Sequence, residues 1–362
     1  MHPDVVVVGA GLAGLTAAGG LHAAGRSVLV VEARAAVGGR IKTLVPQGYG
    51  EGAAVDLGAT WHWSNQPRIR ALADEVGLEA FPQHRAGRAV VEESAGAAPR
   101  PIDLPPPSPT ELRFAGGAQA LCHRLAARLP GGSIVFETEV TSVSVDGGGV
   151  TVTAATGAGE ESQVACEAVV VAVPPRLASA GIAFFPALPE PVVEAMQGTP
   201  TWMATAIKCI ALYETAFWRE AGWSGLAFSR TGPLIEIHDA CTPGGEVAAL
   251  WGFLSADHSV RDLPHDERVR AVFAQLGRLF GPQAADPLQY VERDWSDDPY
   301  TNDVVVWFGE PLAYGHPALA EPLFGGRLVW AGSETADAGA GHMEGAVRSG
   351  QRAAAQVLAG LG

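Results

Sequence analysis

The sequence predicts an α/β protein: a Rossmann-type domain built on a parallel sheet, joined to an α+β domain with a mixed or antiparallel sheet. Three observations carry this. Four valines at residues 5–8 run into Gly9-Ala10-Gly11-Leu12-Ala13-Gly14. A small-residue helical stretch continues to Ala24, and a β-branched run at residues 27–31 ends in Glu32. Strand, glycine turn, helix, strand is a βαβ unit, which implies parallel strands and a right-handed crossover. Further along, alternation at residues 134–145 and 150–154 flanks Asp146-Gly147-Gly148, the pattern of an antiparallel pair.

The remaining elements follow in order. Six prolines fall within residues 99–109, which predicts a surface loop or spacer. Residues 118–129 have helical spacing after Gly116-Gly117. Residues 168–173 read as a buried strand stopped by Pro174-Pro175. Apolar runs at 204–213 and 246–253 read as strands, 266–280 as a helix, 328–331 as a late buried strand and 345–361 as a final helix. No internal repeat is visible. The chain divides into a discontinuous dinucleotide-binding domain, residues 1–79, 115–197 and 293–362, and a substrate domain, residues 80–114 and 198–292.

Composition excludes whole classes. The 362 residues are 48% hydrophobic and 17% charged, with a net charge of −15. An acidic chain is a poor partner for nucleic acid or anionic lipid, whose phosphates need clustered Lys and Arg. Glycine (45) and proline (26) are abundant but follow no fixed period, so collagen-like or disordered readings fail. No apolar run approaches the ~20 residues that span a bilayer, and no basic leader precedes the valines, so a cytoplasmic location is expected. Cys122, Cys166, Cys209 and Cys241 are widely spaced without a CxxC pair, which argues against a metal site.

Gly9, Gly11 and Gly14 form a dinucleotide fingerprint between strand and helix. The first permits the turn, the second admits a pyrophosphate, and the third lets helix and strand pack. The helix start supplies free N–H groups for the phosphates. Glu32 closes the second strand, where a carboxylate accepts hydrogen bonds from a ribose. Val37-Gly38-Gly39-Arg40 then offers backbone N–H groups and a guanidinium fork for phosphate oxygens.

From Glu32-Ala33-Arg34 through Gly38-Gly39-Arg40 the sequence resembles the flavin-containing amine oxidase family, and the resemblance extends along nearly the whole chain. It implies FAD, with Gly9, Gly11, Gly14, Glu32, Arg34, Gly39 and Arg40 as cofactor-binding residues. Asp56-Leu57-Gly58-Ala59-Thr60-Trp61 resembles the segment that passes near the flavin ring. Glu139-Val140 resembles the segment whose valine backbone receives the adenine. Trp295 opens a further cofactor segment. Trp330-Ala331-Gly332-Ser333-Glu334-Thr335 and Gly341-His342-Met343-Glu344 resemble the C-terminal flavin signature, with Gly332, Ser333, Glu334 and Met343 at the cofactor. The resemblance gives Lys208, inside the apolar run 206–212, the role of holding water at the flavin and assisting reoxidation by oxygen. It makes Tyr300 and His342 the two walls of an amine-aligning cage, with Trp61 and His62 as further pocket residues. The place of the cysteine that bonds flavin in mammalian monoamine oxidases is assigned to Pro299, so FAD is expected to be non-covalent.

The resemblance implies oxidation of a small-molecule amine to an imine by hydride transfer to the flavin, reoxidation by O2 giving H2O2, and hydrolysis to aldehyde and ammonia. Two departures bear on it. Residues 80–114 are too few for the family's helical insertion, which implies a pocket either open to a bulky or carrier-presented amine or closed by a partner subunit, as in a homodimer. Thr60-Trp61-His62 stand where L-amino-acid oxidases carry an arginine. A desaturase or biosynthetic oxidase, an L-amino-acid oxidase and a non-catalytic flavoprotein subunit are the other readings.

Overall fold

A computed structural model describes residues 2–255, 259–302 and 314–362. Its organising element is a five-stranded parallel sheet, in the order Ile134–Val135, Val28–Val31, Val5–Val8, Ala168–Val171, Leu328–Trp330. The valines of the central strand are buried because both faces of a parallel sheet are covered. Val5 and Val7 point into a core shared with helices Leu12–Ala23, Gln119–Ala126 and Met343–Leu361. Val6 and Val8 point the other way, onto Val140, Val143, Val150 and Val152 of a four-stranded sheet. That sheet contains Glu161–Cys166, Gly149–Thr156, Thr138–Asp146 and Ala183–Phe185.

Two helices cross where the sequence is smallest. A Cβ on Gly350 of the last helix would stand 2.4 Å from the carbonyl oxygen of Ala13 in the first, and one on Gly20 would stand 3.2 Å from the Ala354 methyl. The small-residue composition of both helices is therefore a packing requirement.

A seven-stranded mixed sheet forms the other half of the molecule. Its order is Gln289–Asp294, Ile207–Tyr213, Ala248–Leu254, Leu234–Asp239, Trp223–Ser229, Arg88–Glu92, Arg100–Ile102. Ile207, Cys209 and Ala211 pack under helix His265–Phe280. Ile210 and Leu212 point to the opposite face, onto Ala53, Val55 and Leu57 of the first half. Lys208 shares their parity and faces the same way.

Three expectations are corrected. Residues 134–145 are two elements: Ile134–Val135 joins the parallel sheet, and Glu137, at φ 53, breaks the chain before Thr138–Asp146 pairs antiparallel. The proline-rich stretch is not all loop, because Arg100–Ile102 adds the edge strand, where a missing N–H is tolerated. Strands Trp223–Ser229 and Leu234–Asp239 and helix Glu190–Gly198 were not anticipated. No helix of the described residues is long and apolar enough to cross a membrane.

Candidate active site

The glycine fingerprint meets the second glycine turn. Gly11 and Gly38 form an isolated parallel bridge, and Gly38 N–H donates to the carbonyl of Ala10 at 2.9 Å. Gly14 is required by packing: a Cβ there would lie 2.0 Å from the Gly9 carbonyl oxygen. Gly11 is different. A Cβ there would meet nothing nearer than 4.0 Å, so its missing side chain leaves space at the start of helix Leu12–Ala23. That helix start has no side-chain cap, leaving its first N–H groups free for an anion. A cavity of about 60 Å³ lies at the second glycine turn, lined among others by Arg34, Gly39, Gln119, Arg293 and Trp295. Donors, cations and an open glycine cradle fit the pyrophosphate of the expected FAD.

Glu32 is buried. Its carboxylate accepts from Ala10 N–H at 2.6 Å and Arg34 N–H at 2.8 Å, which ties the two turns together. Thr138 N–H donates to the Glu32 carbonyl at 3.0 Å, and two residues further along the same strand the register shifts between Val140 and Ser142, a bulge that leaves the Thr141 backbone out of the ladder. Arg34 itself is turned to Asp298 (2.6 Å) and Thr301 (3.0 Å), and Asp298 also accepts from Arg293 at 2.5 Å.

Arg40 pairs with buried Glu334, which also accepts from the Ser333 hydroxyl at 2.8 Å. Burial opposes the ionisation of Glu334, but the guanidinium beside it wins and holds its carboxyl below the usual range. Gly332, at φ 133, makes the turn into this segment, and its N–H donates to Ser349 at 3.0 Å. Met343 starts the last helix, uncapped by a side chain, with its own side chain in the core. Glu344 turns away to accept from Ile69 N–H at 2.8 Å, capping helix Pro67–Glu75.

Lys208 is fully buried in the second strand of its sheet. Its Nζ donates to Gly58 O at 3.0 Å and to the Thr60 hydroxyl, and lies 4.0 Å over the Trp251 ring. Burial lowers its pKa to about 7, against the opposing pull of Asp56. The Gly58 turn is pinned: a Cβ there would be 2.1 Å from Arg40 O, and Ala59 N–H donates to that same oxygen. Trp295 is buried beneath, its indole N–H on Leu57 O at 3.0 Å.

Alternation along the chain separates Trp61 from His62. Trp61 packs 4.9 Å from Trp251 and 4.5 Å from His238, with its N–H on Gln83. His62 points to the opposite face and stacks on Phe114 at 4.3 Å in the core of the first half. Both its ring nitrogens lack a partner, and burial, with Arg70 nearby, lowers its pKa to about 4. His62 therefore does not line the Trp61 pocket.

Tyr300 and His342 are not brought face to face. The Tyr300 ring sits under the Arg34 guanidinium, 5.2 Å from its centroid, and burial together with Glu139 raises its pKa. That is the ribose end of the expected cofactor. His342 is exposed and meets the Trp63 ring edge-on at 5.1 Å. Tyr300 follows Asp298, whose carboxylate accepts the Tyr300 N–H and both arginines, and this holds it there. Residues 303–313 lie outside the described residues. Trp251, His238 and Glu236 were missed in the sequence. The i, i+2 spacing of Glu236 and His238 was the available signal, once that stretch is read as a strand.

A family model described as flavin containing amine oxidoreductase matches residues 12–113 and 108–358. Its two stretches meet at the short segment noted above. Putrescine oxidase of Kocuria rosea is 29% identical over 465 aligned positions, covering 98% of this chain and 95% of that protein. The flavin-containing amine oxidase B of Cavia porcellus is 27% identical, covering 99% and 86%. Among solved structures, wild-type putrescine oxidase bound to putrescine has a TM-score of 0.83 at 25% identity, covering 99% of both chains. Cyclohexylamine oxidase from Brevibacterium oxydans IH-35A has a TM-score of 0.85 at 23% identity, covering 100% of both, a likeness of fold.

Proposed function

Since the chain belongs to the flavin containing amine oxidoreductase family and FAD is its cofactor, we propose that it converts an amine to an aldehyde and ammonia through an imine. FAD, when bound, would supply the two-electron redox chemistry that couples amine oxidation to O2. Amine, O2 and water balance aldehyde, ammonia and H2O2. The observation that carries the reading is Lys208, buried between Gly58, Thr60 and Trp251, its pKa lowered by burial to about 7.

The chain's own residues divide the remaining work. The fingerprint, Glu32, Val140 and the uncapped helix start hold the dinucleotide. Arg40 and Glu334 would hold its middle portion. Gly58-Ala59-Thr60 and the start of the last helix would present backbone groups to the flavin, where a helix N-terminus favours negative charge. Lys208 holds a proton and a water there, and its positive form stabilises charge developing on oxygen. Trp61 and Trp251 exclude water from the amine. His342 with Trp63 lines the outer side. FAD is held non-covalently, since residues 293–362 contain no cysteine. The protein acts on a small-molecule amine, in the cytoplasm, and the domain division is that of residues 1–79, 115–197 and 293–362 against 80–114 and 198–292.

Anaerobic titration of the purified holoenzyme with an amine panel tests this. The expected result is bleaching of the flavin absorbance and, once air is admitted, ammonia in proportion to product. Product without ammonia marks a desaturase, and no bleaching with any amine overturns the reading.

A further inference from the structure

Lys208 is held by two oxygens of one turn. Its Nζ donates to Gly58 O at 3.0 Å and to the Thr60 hydroxyl, and that hydroxyl lies 3.3 Å from the same Gly58 O. The three polar atoms form a closed triangle. The turn has its own anchors on the side away from the lysine. Gly58 N–H donates to Lys42 O at 3.0 Å, and Ala59 N–H donates to Arg40 O at 3.2 Å. Lys208 is fully buried and Thr60 is 6% exposed, so water does not freely take the place of either oxygen.

We propose that Thr60 is the positioning residue of Lys208: its hydroxyl reverses direction with the charge on the lysine and keeps Nζ at one point in both charge states. The proposal rests on the amine-oxidase reading above and deepens the role given there to Lys208.

The donor counts fit both charge states. An ammonium has three N–H donors and no acceptor. It gives one to Gly58 O and one to Thr60 Oγ1, and the Thr60 O–H turns to Gly58 O. A neutral amine has two N–H donors and one lone pair. It keeps its bond to Gly58 O, and the Thr60 O–H turns to the lone pair. Each state leaves one N–H over, which is what holding a water requires. A second carbonyl in place of the hydroxyl would serve the ammonium alone, because it cannot donate. The charged groups facing Lys208 are Asp56, from strand Val55–Asp56, which favours its proton, and Arg113, from strand Glu111–Phe114, which opposes it. Both are engaged elsewhere. Asp56 accepts from the Thr43 hydroxyl at 2.7 Å and from Ala118 N–H at 2.8 Å, and Arg113 donates to Cys241 O at 2.9 Å and Ala240 O at 3.1 Å. These two act on the charge of Lys208 through space, and Thr60 fixes its position by contact.

The test compares T60V, which keeps the shape without the hydroxyl, with T60S, which keeps the hydroxyl. Losing the hydroxyl takes a charge-assisted hydrogen bond from the ammonium and a weaker neutral one from the amine, so the proton is disfavoured by about tenfold. In the FAD-loaded enzyme, the fall of the O2 reoxidation rate with rising pH should move about one pH unit lower in T60V and stay near wild type in T60S. T60A, which removes the hydroxyl without adding a methyl beside Nζ, should move it in the same direction. The same shift is readable without FAD, by urea titration of the apo protein across pH. The stability gap between wild type and K208M levels off below a pH of about 7. The gap between T60V and T60V/K208M should level off about one unit lower. A midpoint unmoved by loss of the hydroxyl, or moved as far in T60S, overturns the proposal. Bleaching of the flavin by the amine panel is measured separately, so its failure overturns the amine-oxidase reading while the apo titrations still decide the role of Thr60.

Discussion

Lys208 Nζ sits 3.0 Å from the carbonyl oxygen of Gly58, a residue 150 positions earlier in the chain. The contact joins the two halves of the molecule at the point where the flavin is expected. It also puts a titrating amine, with its pKa lowered to about 7, where an ordinary lysine would be fully charged. K208M should slow reoxidation of reduced enzyme by O2 by a factor of ten or more and leave anaerobic reduction nearer wild type. Stopped-flow measurement of the two half-reactions checks this, and equal slowing would remove the assigned role.

The same shift has a consequence for stability. The folded state prefers the neutral amine, so the native fold loses stability as pH falls from the unfolded value of 10.5 toward about 7 and changes no further below that. K208M lacks this penalty. Its stability relative to wild type should be most favourable at and below pH 7 and decline by a few kcal/mol toward pH 10. Denaturant titrations across that range measure it.

His62 makes a second pH prediction. Its folded pKa of about 4 lies below the ordinary 6.5, so protonation favours the unfolded chain. Wild type should lose stability between pH 6.5 and 4, and H62F should lose less. H62F should also be more stable at neutral pH by ~1–3 kcal/mol, the usual cost of buried polar groups without partners. Midpoints in urea at pH 7.5 and pH 5 decide it.

Glycines separate into two kinds, and one pair of variants tells them apart. G14A forces a Cβ to within 2.0 Å of the Gly9 oxygen and should yield protein with little FAD and a lowered Tm. Gly19, on the same helix, has nothing within 4 Å, and G19A should gain ~0.5–1 kcal/mol with flavin content unchanged. Flavin-to-protein absorbance ratios and melting curves check both.

Arg40 and Glu334 test the cofactor site from the other side. E334Q removes the charge partner of the half-buried Arg40 guanidinium, which keeps its hydrogen bond to Trp202 O at 3.0 Å, at a cost of about 1–3 kcal/mol. Removing FAD should therefore lower the Tm of E334Q more than that of wild type, because phosphate binding supplies the missing negative charge. Thermal melts of apo and FAD-loaded protein measure the difference.

The sequence by itself determined the dinucleotide-binding half. Four consecutive valines, a glycine turn and a helix of small residues leave one local solution, because burial on both faces, positive φ and close packing are properties of neighbouring residues. Lys208 was legible as a candidate, and its strand parity already selected a face. Three things were decided only by tertiary structure. Tyr300 went to Arg34 instead of facing His342, because the carboxylate of Asp298 gathers two arginines from distant elements around it. His62 and Trp61, adjacent in the chain, went to opposite faces. Glu236 came into row with Lys208 through a shared partner, Phe253. Cross-strand meetings depend on register and on strand order, and both are set by burial across the whole sheet. A shift of one residue would reverse every face, and the local sequence around Glu236, His238 or Trp251 does not carry that information.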